Sequence, residues 1–143
     1  MWKNIYDSLL QKLTTPWAEF LQKYSSCGRN VRDKFFSDIY SMSGLLLFLF
    51  SVLICCFFYY YLNARFGKYY SKKSYFLTML INSLLIAIIT FVTGKIILND
   101  FICPTTIRIL WLSIINFIYG AVLFFIVSVC IKWKSHMGKR TPF

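Results

Sequence analysis

The chain has 143 residues, of which 58% are hydrophobic, 20% aromatic and 15% charged, with 16 Lys plus Arg against 5 Asp plus Glu and a net charge of +11. Soluble domains are roughly 25% charged and roughly 45 to 50% apolar, so this composition excludes an ordinary cytosolic enzyme, a disordered chain and a small secreted disulfide scaffold. The apolar excess lies in three long runs with the basic residues beside them, which points to a bilayer and its anionic headgroups rather than to nucleic acid.

Residues 1–43 read as an amphipathic helical segment, either lying at the membrane interface or docking a partner. Trp2, Ile5, Tyr6, Leu9, Leu10 and Leu13 recur at helical spacing, while Lys3, Asp7, Gln11 and Lys12 fall elsewhere around the turn. Thr15 followed by Pro16 predicts an N-cap with proline at the first helical position, and Trp17, Phe20, Leu21 and Tyr24 continue the apolar stripe. A third stripe, Val31, Phe35, Phe36, Ile39 and Tyr40, follows the break at 25–28 and can run directly into the first long apolar run.

Residues 44–134 are predicted to form a three-span helical domain. The run from Gly44 to Leu62 has no charge; as a helix it would reach ~28 Å, close to a hydrocarbon core of ~30 Å. No apolar core precedes it, so it is expected to act as its own insertion signal. The second run, Tyr75 to Leu98, holds only Lys95, one turn from its end, where lysine can reach the interface. The third, Ile109 to Ile131, is framed by Arg108 and Trp111 at one end and by Lys132, Trp133 and Lys134 at the other. Trp2, Trp17, Trp111 and Trp133 are the expected interfacial anchors. Residues 135–143 make a short basic tail. The expected fold class is therefore an all-α integral membrane protein, with three transmembrane helices preceded by an N-terminal amphipathic helical segment.

Three crossings put the first loop and the C-terminus on one side. Arg65, Lys68, Lys72, Lys73, Lys132, Lys134, Lys139 and Arg140 make eight basic residues there, against five (Arg29, Arg32, Lys34, Lys95, Arg108) near span ends on the other side. The imbalance favours a cytoplasmic C-terminus in the cell membrane and an outside N-terminus. The first six of those eight are the expected contacts to anionic lipid.

Helices in lipid associate through small residues and interhelical hydrogen bonds. Ser83, Ala87, Thr90 and Gly94 share one face of the second span, Ser113, Asn116 and Gly120 share one of the third, and Gly44, Ser51 and Cys55 share one of the first. Depth along the helices predicts that Asn116 bonds to Thr90 or Thr93, and that Asn82 stands level with Ser128.

The expected chemistry is sparse. All five acids lie outside the span cores and the one histidine, His136, is in the tail, which leaves nothing for proton-coupled transport or acid–base catalysis at depth. No glycine precedes the Gly-Lys pairs as a phosphate loop requires, and the five cysteines have no CxxC spacing, so neither cofactor nor metal is expected. Cys27 and Cys103 fall on the same side of the membrane. A disulfide is open to them on an oxidising side, but two free thiols are the simpler expectation.

These features favour a non-enzymatic accessory, anchoring or assembly subunit, with lipid and either a protein partner or further copies of the chain as its contacts. Two other readings stand beside it. One is an oligomeric pore-former, with Ser83, Ala87, Thr90, Ser113 and Asn116 facing a shared aqueous path; the other is an immunity protein against a membrane-acting toxin. The layout is similar to that of phage holins with three spans, an outside N-terminus and a basic cytoplasmic tail. That likeness is one of arrangement without a shared motif, and the N-terminal tail here is long for it.

Overall fold

The computed structural model describes residues 2–25, 27–62, 71–99 and 103–134, and every regular element among them is helical. These are α1 (Trp2–Leu13), α2 (Trp17–Lys23), α3 (Gly28–Lys34), α4 (Tyr40–Cys56), α5 (Lys72–Ile97) and α6 (Thr106–Lys134). Two π-helical turns, Phe35–Ile39 and Phe57–Leu62, join α3 to α4 and extend α4, so the third N-terminal stripe does run into the first span. Three helical stretches, Gly28–Tyr61, Lys72–Ile97 and Thr106–Ile131, are long and apolar enough to cross a membrane.

Local chemistry sets the boundaries. Pro16 stands at the cap position of α2 rather than inside it, with φ −54° and ψ 152°, and its carbonyl accepts the N–H of Phe20 at 3.0 Å. The Thr15 side chain therefore makes no cap and is free for another use. At α5, Ser71 Oγ accepts the N–H of Ser74 at 3.2 Å, which starts the helix at Lys72, three residues before the apolar run. Each π turn adds a residue to one helical turn, and Ile39 with Tyr40 and Phe58 with Tyr59 are buried there.

The chain packs as two units, Met1–Leu45 with Ala87–Asn116, and Leu46–Ile86 with Phe117–Phe143. The N-terminal helices share a unit with the end of α5 and the start of α6. In that unit Tyr6, Leu10, Trp17, Phe20, Val31, Phe35 and Tyr40 are buried with Ile109 and Leu112. Trp17 meets Phe20 and Phe35 edge-on at 5.7 and 5.6 Å, and Tyr6 stacks on Tyr40 at 5.7 Å. In the second unit an aromatic core of Phe58, Tyr59, Tyr75 and Phe124 encloses Cys55.

Candidate functional site

The small and polar span residues lie inside their own units. In the first unit, Asn116 is fully buried and joins two helices: its Nδ2 donates to Thr90 Oγ1 at 2.9 Å, and the Tyr6 hydroxyl donates to its Oδ1 at 2.5 Å. The Thr90 bond is the one depth predicts; the Tyr6 bond is not anticipated. Gly94 allows Ile109 to approach so closely that a Cβ there would stand 2.8 Å from Ile109 Cγ2. Ser113 is buried and its hydroxyl returns to Ile109 O at 2.9 Å.

In the second unit the expected level pairing of Asn82 with Ser128 is replaced by other bonds. Asn82 Nδ2 donates to Gly120 O at 3.2 Å and to Ser51 Oγ at 3.4 Å, while Ser128 Oγ pairs with the Tyr59 hydroxyl at 2.6 Å. Equal depth allows a bond, but helix rotation selects the partner. The second π turn places Tyr59 over Ser128 first. Ser83 and Gly120 are buried against each other; in the first unit Gly44 is buried and Ala87 half-buried.

Trp17 and Arg108 form a site that sequence reasoning read differently. Trp17, expected at the headgroup layer, is 4% exposed, and Arg108, expected to frame a span, is 3% exposed. The guanidinium carbon lies 4.0 Å from the Trp17 ring centroid and 4.5 Å from that of Phe20. Arg108 Nη2 donates to Thr15 O at 2.5 Å and to Thr15 Oγ1 at 3.3 Å, which is the use Thr15 finds in place of capping. Trp17 is itself held by its Nε1–H, which donates to Asp7 Oδ1 at 2.8 Å, and Gln11 Nε2 occupies Asp7 Oδ2 at 2.6 Å. Burying an unpaired cation costs several kcal/mol, of which a desolvated cation–π contact returns roughly 2 kcal/mol or more. A sequence signal existed: Asp7 is the only acid in α1 and Arg108 the only charge between Cys103 and Ile131.

These contacts orient α1. Tyr6 meets Asn116 and Thr15 meets Arg108, so α1 runs antiparallel to the start of α6 as a short additional helix of the bundle. Its buried face is Tyr6 and Leu10, and Lys3, Asn4, Ser8, Gln11 and Lys12 are left exposed. Cys27 and Cys103 are joined in a disulfide with Cα atoms 6.4 Å apart, contrary to the simpler expectation of free thiols, because the packing of α2 and α3 brings residue 27 to the turn before α6. Beside Arg108 opens a cavity of about 390 Å³ whose lining includes Thr15, Glu19, Phe20, Lys23 and Ile107.

The remaining expected positions are peripheral. Trp111 is half-buried, and Lys72 and Lys73 are exposed in the first turn of α5. Arg65 and Lys68, and the side chains of Trp2, Lys132, Trp133 and Lys134, lie outside the described residues. No three His, Cys, Asp or Glu side chains among the described residues converge as a metal site requires. Comparison with protein-family models, with curated proteins and with solved structures finds no match to the chain.

Proposed function

We propose that the chain is an integral membrane protein that crosses the bilayer three times, keeps its N-terminal helices on the oxidising side, and works without catalysis as an accessory or assembly subunit. The observation that carries the reading is the division of polar and apolar surface. Among the described residues the side chains of Asn82, Ser83, Ser113, Asn116 and Ser128 make hydrogen bonds inside their own units, while Leu53, Leu77, Ile96 and Phe125 each leave half or more of their surface uncovered. Such side chains are stable against lipid and unfavourable in water. The Cys27–Cys103 bond and the excess of Lys and Arg on the first-loop side support an outside N-terminus independently of each other.

The N-terminal helices are the segment offered to a partner. Their apolar side chains Tyr6, Leu10, Trp17 and Phe20 are consumed within the unit, so α1 does not depend on the bilayer surface to bury them. What it presents is a polar face. Photocrosslinking from a reactive residue at Lys12 in native membranes is expected to give a discrete protein adduct, and adducts with lipid alone would overturn the proposal. The pore reading requires Ser83, Thr90, Ser113 and Asn116 to face water. Vesicles carrying the purified protein are therefore expected to hold an ion gradient at high protein-to-lipid ratio, and leakage would favour the pore.

A further inference from the structure

A deeply buried guanidinium ordinarily faces a carboxylate. Among the described residues, the ion pair within contact distance is the exposed Lys34–Asp38 couple, and Arg108 has none. Asp7, the nearest acid in the network, already has both oxygens engaged by Trp17 and Gln11. Arg108 Nη2 is fixed on Thr15, but Nη1 is buried without an acceptor. A donor of this kind leaves an uncompensated desolvation cost, larger for a charged group than for a neutral one. Thr15 supplies neutral acceptors only and Asp7 acts on the charge without a hydrogen bond to it, so the Nη1 donor is left for something else to meet.

The cavity beside this side chain offers the means. Lys23 stands at its rim, and Ile107 brings to it the first turn of α6, a helix of 29 residues whose first N–H groups have no intrahelical acceptors. One wall is apolar, formed by Phe20 and by Ile107, which is 67% exposed. A buried cation, a helix N-terminus and an apolar wall suit the junction between a phosphate headgroup and its chain.

We propose that this cavity is an oxyanion site that takes a phosphate group, with Arg108 as its principal donor and Lys23 as its rim cation. The phosphate belongs to a phospholipid headgroup or to a free phosphate ion. Arg108 lines the cavity and its Nη1 is buried without an acceptor, so engagement turns the guanidinium in its own plane to present that nitrogen. The faces of Trp17 and Phe20 permit this because they impose no directional bond. Glu19, also at the rim, opposes the anion and keeps the affinity moderate. The lipid source rests on the membrane reading above; the site itself does not.

The test uses the full-length protein purified in a nonionic maltoside detergent. Calorimetric titrations compare dihexanoyl phosphatidylglycerol, sodium phosphate and, as a phosphate-free control, dioctanoylglycerol. Saturable binding of a phosphate-bearing ligand is expected, weakened about tenfold by Lys23→Ala and more by Arg108→Lys, and tightened a fewfold by Glu19→Gln. Lys23 and Glu19 are exposed, so their variants report on the ligand even if Arg108→Lys disturbs the fold. Binding of the lipid alone assigns the site to a headgroup. Equal binding of inorganic phosphate assigns it to a soluble anion, and that result would stand even if alkaline washing released the protein from membranes. Absence of saturable binding by both phosphate ligands, binding of dioctanoylglycerol as tight as that of the phosphatidylglycerol, or binding indifferent to both Lys23→Ala and Glu19→Gln, would overturn the proposal.

Discussion

Asn116 is the joint on which the docking of α1 depends, and its removal can be worked through bond by bond. Its Oδ1 accepts from the Tyr6 hydroxyl and its Nδ2 donates to Thr90 Oγ1. Interhelical bonds of this type in membrane proteins average about 0.6 kcal/mol, with a maximum of about 1.7 kcal/mol. Asn116→Leu, which removes both bonds while keeping most of the volume, is therefore expected to cost about 1.2 kcal/mol. Asn116→Ala leaves a cavity in addition, and its expected cost rises to about 2 to 3 kcal/mol. Tyr6→Phe and Thr90→Val delete one bond each at nearly constant shape and should cost about 0.6 kcal/mol apiece. The informative comparison is the double-mutant cycle: in the Asn116→Leu background, Tyr6→Phe should cost less than with Asn116 in place. Unfolding by SDS in mixed micelles, followed by tryptophan fluorescence and circular dichroism, gives these differences. If Tyr6→Phe cost the same in the Asn116→Leu background as with Asn116 in place, α1 would not be docked on α6 and the assignment of the N-terminal unit would fail.

Three further outcomes follow from the same packing. Gly94→Ala is expected to destabilise by about 1 to 3 kcal/mol in that assay, since its Cβ meets the fully buried, β-branched Ile109, and the double variant with Ile109→Ala should cost less than the sum of the two single changes. Trp17→Phe keeps a ring beneath the guanidinium and loses the bond to Asp7, a cost of about 1.5 to 3 kcal/mol, whereas Trp17→Leu removes the cation–π contact as well and should cost more; equal costs would argue against the aromatic bracket. Protein from intact cells should migrate differently on reducing and non-reducing gels, the difference vanishing in Cys27→Ser. The Cys27–Cys103 bond spans 76 positions, so its loss should lower stability by about 2 to 4 kcal/mol.

The three long apolar helices are legible in the sequence because compatibility with a bilayer is a simple rule, about 20 residues in a row that hydrocarbon tolerates, and three runs satisfy it. The helix ends differ from the apolar runs because Ser71 caps α5 early and because α6 continues to Lys134. The Thr90–Asn116 bond is legible from rise per residue alone. The same count misleads for Asn82, since rise fixes depth and leaves azimuth open, and a π turn that periodicity does not announce gives Ser128 to Tyr59. The Arg108 site is signalled in the sequence only by an isolated acid and an isolated cation, which do not assemble it. Its parts, Asp7, Thr15, Trp17 and Phe20, are far from Arg108 along the chain, and their types fit an interfacial helix equally well. The expected topology puts the two cysteines on a common side, but side alone does not bring two sulfurs within bonding distance.

The account rests on three crossings that leave the N-terminal unit outside and the C-terminus within. Its most direct test is labelling with a membrane-impermeant maleimide in a background where Cys55, Cys56 and Cys130 are replaced by serine and the Cys27–Cys103 bond is kept. A single new thiol is introduced by Lys12→Cys or by Met137→Cys. The account predicts that the thiol at position 12 reacts in intact cells and that the thiol at position 137 reacts only after permeabilisation; reaction of both before permeabilisation, or of neither, would contradict it.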